Sequence, residues 1–215
     1  MCSFADRGVA IPMQIACLDL EGVLVPEIWI QFAERTGIDE LGLTTRDEPD
    51  YDVLMRRRLS ILTERGLRLG EIQQVIAGME PMEGARTFLD TLREGFQVVI
   101  LSDTFYEFAA PLMRQLGWPT LLCHRLEVDG NGKVIDYRIR QKDPKRRCVE
   151  AFQGLHFRVI AAGDSYNDTS MLTAADAGIL FRPPPNVVRE FSQFPVTENH
   201  AELLEAFRQA SGSLD

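Results

Sequence analysis

The sequence predicts an α/β protein with an open parallel sheet covered by helices and a small helical insert. Short apolar runs of strand length alternate with helix patterns along most of the chain, which is typical of such sheets. One stretch near the N-terminus departs from this alternation, because it is charged, helical in pattern and poor in strand signals. A length of 215 residues allows one substantial core and one small insert.

The N-terminal part of the chain begins with an apolar run at 14–20, which predicts a buried strand that ends before Gly22. A helix pattern covers 28–35, and Gly37 predicts its end. The charged stretch over 39–81 predicts further helices. We therefore predict an N-terminal extension at 1–12, a core domain formed by 13–26 and 82–215, and a helical cap domain at 27–81.

The rest of the chain alternates between strand and helix patterns. Apolar runs at 96–101 and 158–162 predict strands of a sheet that is covered on both faces. Residues 126–139 alternate around an Asp-Gly-Asn-Gly turn, which predicts a hairpin. Asp143 and Pro144 predict the cap and the first residue of a helix. The other predicted elements are helices at 85–93 and 108–116, a strand at 179–181, and a final helix capped by Asn199 and Glu202.

Composition and charge narrow the range of functions. The formal net charge of −9 argues against nucleic acid as a partner, because phosphate backbones are bound by basic surfaces. No apolar run approaches the roughly 20 residues of a membrane span, so no membrane partner is expected, and a secretory signal is not evident. The four cysteines form no CxxC pair and the three histidines are isolated. We therefore expect a reducing, cytoplasmic location and no zinc site.

The first predicted strand ends in two acids. Asp19 and Glu21 lie two residues apart at its carboxyl end, where open α/β sheets place their ligands. Either acid alone could be a helix cap or a surface charge. Two carboxylates on one side of a strand end repel each other unless a cation joins them. The pair therefore favours a metal site or acid–base chemistry.

Three further features follow in order along the chain. Ser102 comes after an apolar strand, where a hydroxyl can bind a phosphate oxygen or cap the next helix. Lys145 stands at the start of a predicted helix, and Lys142 in the same basic run is the competing candidate. Asp164 and Asp168 follow another strand, where they either hold magnesium beside the first acid pair or form a polar turn. Together, the four features favour a phosphate and metal site over four unrelated turns.

Four segments resemble the motifs of the haloacid dehalogenase (HAD) superfamily: DLEGVLVPEIW, LSDTFYEF, RQKDPKR and AAGDSYNDT. The GDxxND pattern, present as GDSYND, is highly specific. The resemblance is strongest to phosphoserine phosphatases, including bifunctional ones that also transfer phosphate to homoserine, and it covers nearly everything after Met13. It implies a Rossmann-like parallel sheet with a helical cap between the first two motifs. It also implies Mg²⁺ as the cofactor and a place in serine and threonine biosynthesis.

The resemblance implies a role for each site residue. Asp19 would be the nucleophile, and Glu21 would be the general acid and then the general base. Mg²⁺ would bind the carboxylates of Asp19 and Asp164 and the backbone carbonyl of Glu21. Glu27 would pair with the substrate ammonium group and Arg58 with the substrate carboxylate. The other residues implied in substrate binding are Ser102, Asp103, Lys145 and Asn167, while Asp168 would support the metal or Lys145.

Two departures from the family pattern affect the expected reaction. Glu21 stands where the superfamily usually has aspartate, and Asp103 and Thr104 stand where phosphoserine phosphatases commonly have glycines. We expect the phosphoenzyme to divide between water and an acceptor alcohol such as homoserine. The implied partner is a small phosphorylated amino acid, and the oligomeric state is open between monomer and homodimer. The alternatives are a HAD phosphatase for another small phosphomonoester, a receiver-like signalling domain that accepts a phosphoryl group, and an inactive binding module.

Overall fold

A computed structural model of the chain describes residues 13–44, 47–48 and 50–212, and it is built around one seven-stranded sheet. Its strands are β1 (Gln14–Leu18), β2 (Gln97–Phe105), β3 (Thr120–Val128), β4 (Val134–Arg138), β5 (Arg158–Gly163), β6 (Ala177–Phe181) and β7 (Val196–Thr197). They lie in the order β4-β3-β2-β1-β5-β6-β7, and each neighbouring pair is parallel except β3 and β4. The predicted α/β class and the predicted hairpin are confirmed.

Helices lie in each connection between consecutive strands, except that a turn joins β3 to β4. They are α1 (Ile28–Thr36), α2 (Tyr51–Glu64), α3 (Leu69–Ala77), α4 (Ala85–Gly95), α5 (Tyr106–Gln115), α6 (Pro144–Gly154), α7 (Thr169–Ala174), α8 (Pro185–Glu190) and α9 (His200–Ser211). The first three, with a 3-10 turn at Asp39–Gly42, form the predicted helical insert between β1 and β2. The exact division into core and cap domains stays a prediction. The predicted extension at 1–12 lies outside the described residues.

The central strand β1 shows how the sheet separates two apolar layers. Side chains alternate between the faces of a strand. Ala16 and Leu18 belong to a large buried cluster that continues into the helical insert, whereas Ile15 and Cys17 belong to a smaller cluster. A strand buried on both faces brings its carboxyl end, and the residues that follow it, to the ligand-binding edge of the sheet.

Two strand boundaries differ from the prediction, and both differences affect the site. β1 ends at Leu18, so Asp19 begins the following loop instead of lying inside the strand. β2 continues to Phe105, so Ser102 lies within it and does not follow it. The apolar run alone could not reveal this extension, because it ends at Leu101, where the register between β2 and β3 also shifts.

Of the two predicted helix caps, the one at Asn199 is confirmed and the one at Asp143 is wrong. Asn199 accepts a hydrogen bond from the backbone N–H of Glu202 at 3.0 Å, which confirms the cap of α9. Asp143 precedes α6 as predicted, but its side chain does not cap the helix, because its backbone is left-handed with φ 50°. Its carboxylate instead accepts from the Ser170 hydroxyl at 2.9 Å. Within the described ranges, no helix combines the length and the apolar character that crossing a membrane requires.

Candidate active site

The loop after β1 positions the first acid pair. Asp19 is 4% exposed, and its Oδ1 accepts the backbone N–H of Leu20 at 2.7 Å. Gly22 follows with φ +76°, and a Cβ at this position would lie 2.4 Å from the Asp164 carboxyl group. Only glycine fits here without displacing Asp164. The loop therefore brings Asp164, from the far end of the chain, close to the residues that follow β1.

The loop after β5 is organised by Asp168, which is fully buried. Its Oδ2 accepts the backbone N–H groups of Asp164 at 3.0 Å and Ser165 at 3.1 Å. A Cβ at Gly163 would lie 2.4 Å from the Asp168 side chain, which explains the glycine of the GDSYND segment. Asp168 is thus a support of this loop, and its hydrogen bonds fix the backbone that carries Asp164.

Three acids from these two loops could hold a metal ion. Ligand oxygens of Asp19, Asp164 and Asp168 all lie within 4.8 Å of one another. Burial, followed by repulsion from Asp168, raises the pKa of Asp19 well above its ordinary value, although Lys145 opposes this shift. Burial and Asp168 likewise raise the pKa of Asp164 to about 7. Both shifts come first from burial and then from neighbouring negative charge, and a divalent cation would offset that charge.

Lys145 is the cation within this acidic group. It is 3% exposed, and its Nζ lies 2.7 Å from Asp168 Oδ1 and 3.0 Å from Asp19 Oδ1. A third carboxylate, that of Asp103, lies 3.5 Å away. Burial alone would lower the pKa of Lys145, but the three aspartates outweigh burial and raise the pKa well above its ordinary value. The competing candidate, Lys142, lies on the exposed surface.

β2 brings two more predicted residues to the same edge of the sheet. Leu18 is level with Ile100, so Ser102 lies just beyond the level of Asp19 on the neighbouring strand. Ser102 is buried, and its Oγ accepts the backbone N–H of Thr104 at 3.2 Å. Its hydroxyl proton is thus free to be donated to a ligand. Asp103, the next residue, faces Lys145, as described above.

Glu21, the second acid of the first pair, also lies close to the carboxylate of Glu27. Glu21 is half-buried, and its Oε2 accepts the backbone N–H of Ile28 at 3.1 Å. Burial, followed by repulsion from Glu27, raises the pKa of Glu21 to about 8. Glu21 is therefore largely protonated near pH 7 and can donate a proton. Glu27 itself is exposed and precedes α1 without capping it.

Arg58 is a buried cation of a different kind. It is 6% exposed on α2, with Nη2 donating to the Leu43 carbonyl at 2.6 Å and the guanidinium 4.4 Å from the ring centre of Trp29. Its Nε has no hydrogen-bond partner, and no carboxylate among the described residues pairs with it at salt-bridge distance. Burial lowers the pKa of Arg58 to about 10, although Tyr51, Glu21 and Glu27 oppose the shift. Such a guanidinium is suited to an incoming anion.

Sequence reasoning missed His124. It is 3% exposed on β3, with its Nε2 3.6 Å from Asp103 Oδ1. No local motif reveals this histidine, because its contact with Asp103 depends on the pairing of β2 with β3, where Phe105 is level with His124. Asn167, which was predicted, is exposed, and its Nδ2 donates to Asp103 Oδ2 at 3.3 Å.

Comparisons with known proteins decide the family. The haloacid dehalogenase-like hydrolase family matches residues 13–176. The chain belongs to this hydrolase family. Phosphoserine phosphatase ThrH of Pseudomonas aeruginosa is 67% identical over 199 residues, covering 93% of this chain and 97% of that protein. A phosphoserine phosphatase of Pseudomonas syringae pv. tomato is 66% identical, covering 93% and 84%.

The fold agrees with that of a solved relative. The crystal structure of phosphoserine phosphatase from T. onnurineus shares 25% identity with this hydrolase at a TM-score of 0.70. The match covers 97% of this chain and 99% of the other. The predicted HAD resemblance is thus confirmed, and the chain is a hydrolase of that family.

Proposed function

We propose that this hydrolase is a magnesium-dependent phosphoserine phosphatase in which Asp19 accepts the phosphoryl group. The proposal rests on one observation: the protein has two buried cations whose surroundings differ. Lys145 lies among carboxylates beside Asp19, whereas Arg58 lacks an anionic partner among the described residues. A phosphorylated amino acid brings both a phosphate and a carboxylate. The names of the two Pseudomonas relatives support the same substrate.

The donor set fits magnesium. The three candidate side chains offer only carboxylate oxygens, which are the hard ligands that this ion prefers. Asp168 is already occupied by two backbone N–H groups and Lys145, so Asp19 and Asp164 are the better ligands, together with the backbone carbonyl of Glu21. When bound there, magnesium would neutralise negative charge on the phosphoryl oxygens.

The protein groups account for the proton and phosphoryl transfers of the first step. A carboxylate oxygen of Asp19 attacks phosphorus, and the bond from phosphorus to the serine oxygen breaks. Glu21 donates its proton to the leaving serine oxygen, which its pKa of about 8 permits near neutral pH. Ser102 and Lys145 donate hydrogen bonds to the phosphoryl oxygens. The products are serine and an acyl phosphate on Asp19.

The second step regenerates the enzyme. Glu21, now ionised, accepts a proton from water while the water oxygen attacks the phosphorus of the acyl phosphate. The bond from phosphorus to the Asp19 oxygen breaks, which releases inorganic phosphate and restores both carboxyl groups. An alcohol such as homoserine could replace water in this step, and the product would then be its phosphate ester. Hydrolysis and transfer differ only in the incoming nucleophile.

The helical insert would select the amino-acid part of the substrate. We assign Arg58 to the substrate carboxylate and Glu27 to the ammonium group, while Asn167 and Asp103 line the phosphate side. A bidentate guanidinium bond together with an opposite charge distinguishes an amino acid from a sugar or an aryl group. In this proposal, residues 27–81 act as a cap over the sheet edge.

The direct test measures phosphate release from L-phosphoserine with magnesium, with a chelator, and with Asp19→Asn. We expect turnover only with magnesium, and a loss of at least about 1,000-fold in Asp19→Asn, which keeps the side-chain size. Mass spectrometry after an acid quench should detect one phosphoryl group on the wild type and none on the variant. Undiminished turnover by Asp19→Asn would contradict the proposal.

Transfer to an alcohol is tested separately. Enzyme, magnesium, phosphoserine and homoserine are incubated, and the products are followed by phosphorus NMR. We expect a phosphohomoserine signal in addition to inorganic phosphate. Inorganic phosphate as the sole product at saturating homoserine would exclude the transfer activity and leave the phosphatase intact.

A further inference from the structure

Asp103 is the third carboxylate near Lys145. An ammonium group has three protons to donate. Lys145 Nζ donates a hydrogen bond to Asp168 at 2.7 Å and forms ion pairs with Asp19 at 3.0 Å and Asp103 at 3.5 Å. The first two side chains are buried, whereas that of Asp103 is 36% exposed and has the longest contact. A phosphate oxygen that approaches Lys145 competes with these carboxylates for the ammonium group, and Asp103 is the easiest of the three to displace.

The buried ring of His124 lies next to the Asp103 carboxylate. The Nδ1 of this buried ring accepts the backbone N–H of Arg140 at 3.2 Å. A neutral imidazole that accepts at Nδ1 carries its proton on Nε2. That nitrogen faces Asp103 Oδ1 at 3.6 Å, while Asn167 donates to Oδ2 at 3.3 Å. His124 thus orients the Asp103 carboxylate toward Lys145.

We propose that Asp103, oriented by His124, occupies the phosphate position of Lys145 in the free enzyme and thereby weakens the binding of phosphate. This inference rests on the proposed phosphatase function, because it assigns a role to a carboxylate inside that phosphate site. In this arrangement Asp103 determines how strongly the site retains a phosphate dianion. His124 is a positioning residue that acts through Asp103.

Asp103 would weaken the binding of phosphate because the two negative charges repel each other. Burial would raise the pKa of Asp103, but Lys145, the nearby Nε2–H of His124 and the hydrogen bond from Asn167 outweigh it and hold the pKa well below its ordinary value. Asp103 is therefore ionised when phosphate arrives. Phosphate must compete with this carboxylate for Lys145 and then lie beside its negative charge. Both effects favour release of the inorganic phosphate product.

The test is direct calorimetric binding of inorganic phosphate to the magnesium-loaded protein and to Asp103→Asn. The substitution keeps the size of the side chain and an oxygen acceptor for His124, and it removes the charge. We expect phosphate to bind about two- to fivefold more tightly, as is typical for one partly exposed charge pair. Asp90→Asn removes the same charge from an exposed pair with Arg86, and its phosphate affinity should equal that of the wild type.

Two substitutions of His124 separate positioning from a general structural role. His124→Asn keeps an acceptor for the Arg140 N–H and loses the donor to Asp103, so phosphate binding should tighten by about two- to threefold. His124→Gln can reach Asp103 with its amide N–H and should restore wild-type affinity. In the Asp103→Asn background, His124→Asn should change nothing further. Equal effects of His124→Asn in both backgrounds would show that it does not act through Asp103.

Different results would contradict the Asp103 proposal and the phosphatase proposal. If Asp103→Asn gains no affinity for phosphate, the Asp103 proposal is wrong, even when phosphoserine is hydrolysed normally. If the protein binds phosphate and does not hydrolyse phosphoserine, the phosphatase proposal is wrong and the comparison of phosphate affinities still decides the role of Asp103.

Discussion

Lys145 and Arg58 are both buried cations, but their surroundings are opposite. Lys145 has carboxylates at 2.7, 3.0 and 3.5 Å, and these raise its pKa. Arg58 has one backbone carbonyl at 2.6 Å, an aromatic ring and an unpaired Nε, and burial lowers its pKa to about 10. Carboxylates of the protein neutralise the first cation, whereas no carboxylate of the described residues pairs with the second, which we propose to bind the substrate carboxylate.

In the proposed function, Lys145 serves phosphoryl transfer and Arg58 serves substrate recognition. The carboxylates around Lys145 come from β2 and from the loops after β1 and β5, so the reacting centre is assembled on the sheet. Arg58 comes from α2 of the helical insert. A change at Lys145 should therefore affect both the fold and every substrate, whereas a change at Arg58 should affect only substrates that carry a carboxylate.

The largest expected effect is that of Lys145→Met. It leaves Asp19 and Asp168 buried without their cation, which typically lowers the free energy of unfolding by about 3–5 kcal/mol. Turnover of phosphoserine and of an aryl phosphate should fall together by about 1,000-fold. Urea denaturation and phosphate release measure the two effects, and wild-type stability in this variant would contradict the comparison.

Arg58→Met should have a much smaller effect on stability. The substitution keeps a long apolar stem against Trp29 and removes a buried charge that has no carboxylate partner in the described structure. We expect the free energy of unfolding to change by less than about 1 kcal/mol. A loss as large as that of Lys145→Met would mean that Arg58 has a structural partner.

The smallest expected effect concerns Glu21 and its neighbour Glu27. Glu27→Gln removes the repulsion that helps burial to raise the pKa of Glu21 to about 8, so the pKa of Glu21 should fall. Carbon NMR titration of the metal-free protein measures it in both forms. The fraction of protonated Glu21 at neutral pH would then decrease. An unchanged midpoint would show that Glu27 does not act on Glu21.

The sequence predicted the reacting centre better than the rest of the site. Asp19 with Glu21, and Asp164 with Asp168, are close in the chain, so strand ends and glycines reveal them. His124 was missed because its role depends on strand pairing. Arg58 was chosen over its basic neighbours only through the family resemblance. The apolar residues Leu54 and Leu62, four residues on either side, place Arg58 on the buried face of α2, which periodicity could have shown.

The most direct test of the comparison measures binding in the non-hydrolysing Asp19→Asn background. Affinities for L-phosphoserine and inorganic phosphate are determined by calorimetry with Arg58 and with Arg58→Met. We predict that the second substitution weakens phosphoserine binding about 100-fold and changes phosphate binding by less than about twofold. Equal losses for both ligands, or no loss for phosphoserine, would contradict the assignment of Arg58 to the substrate carboxylate.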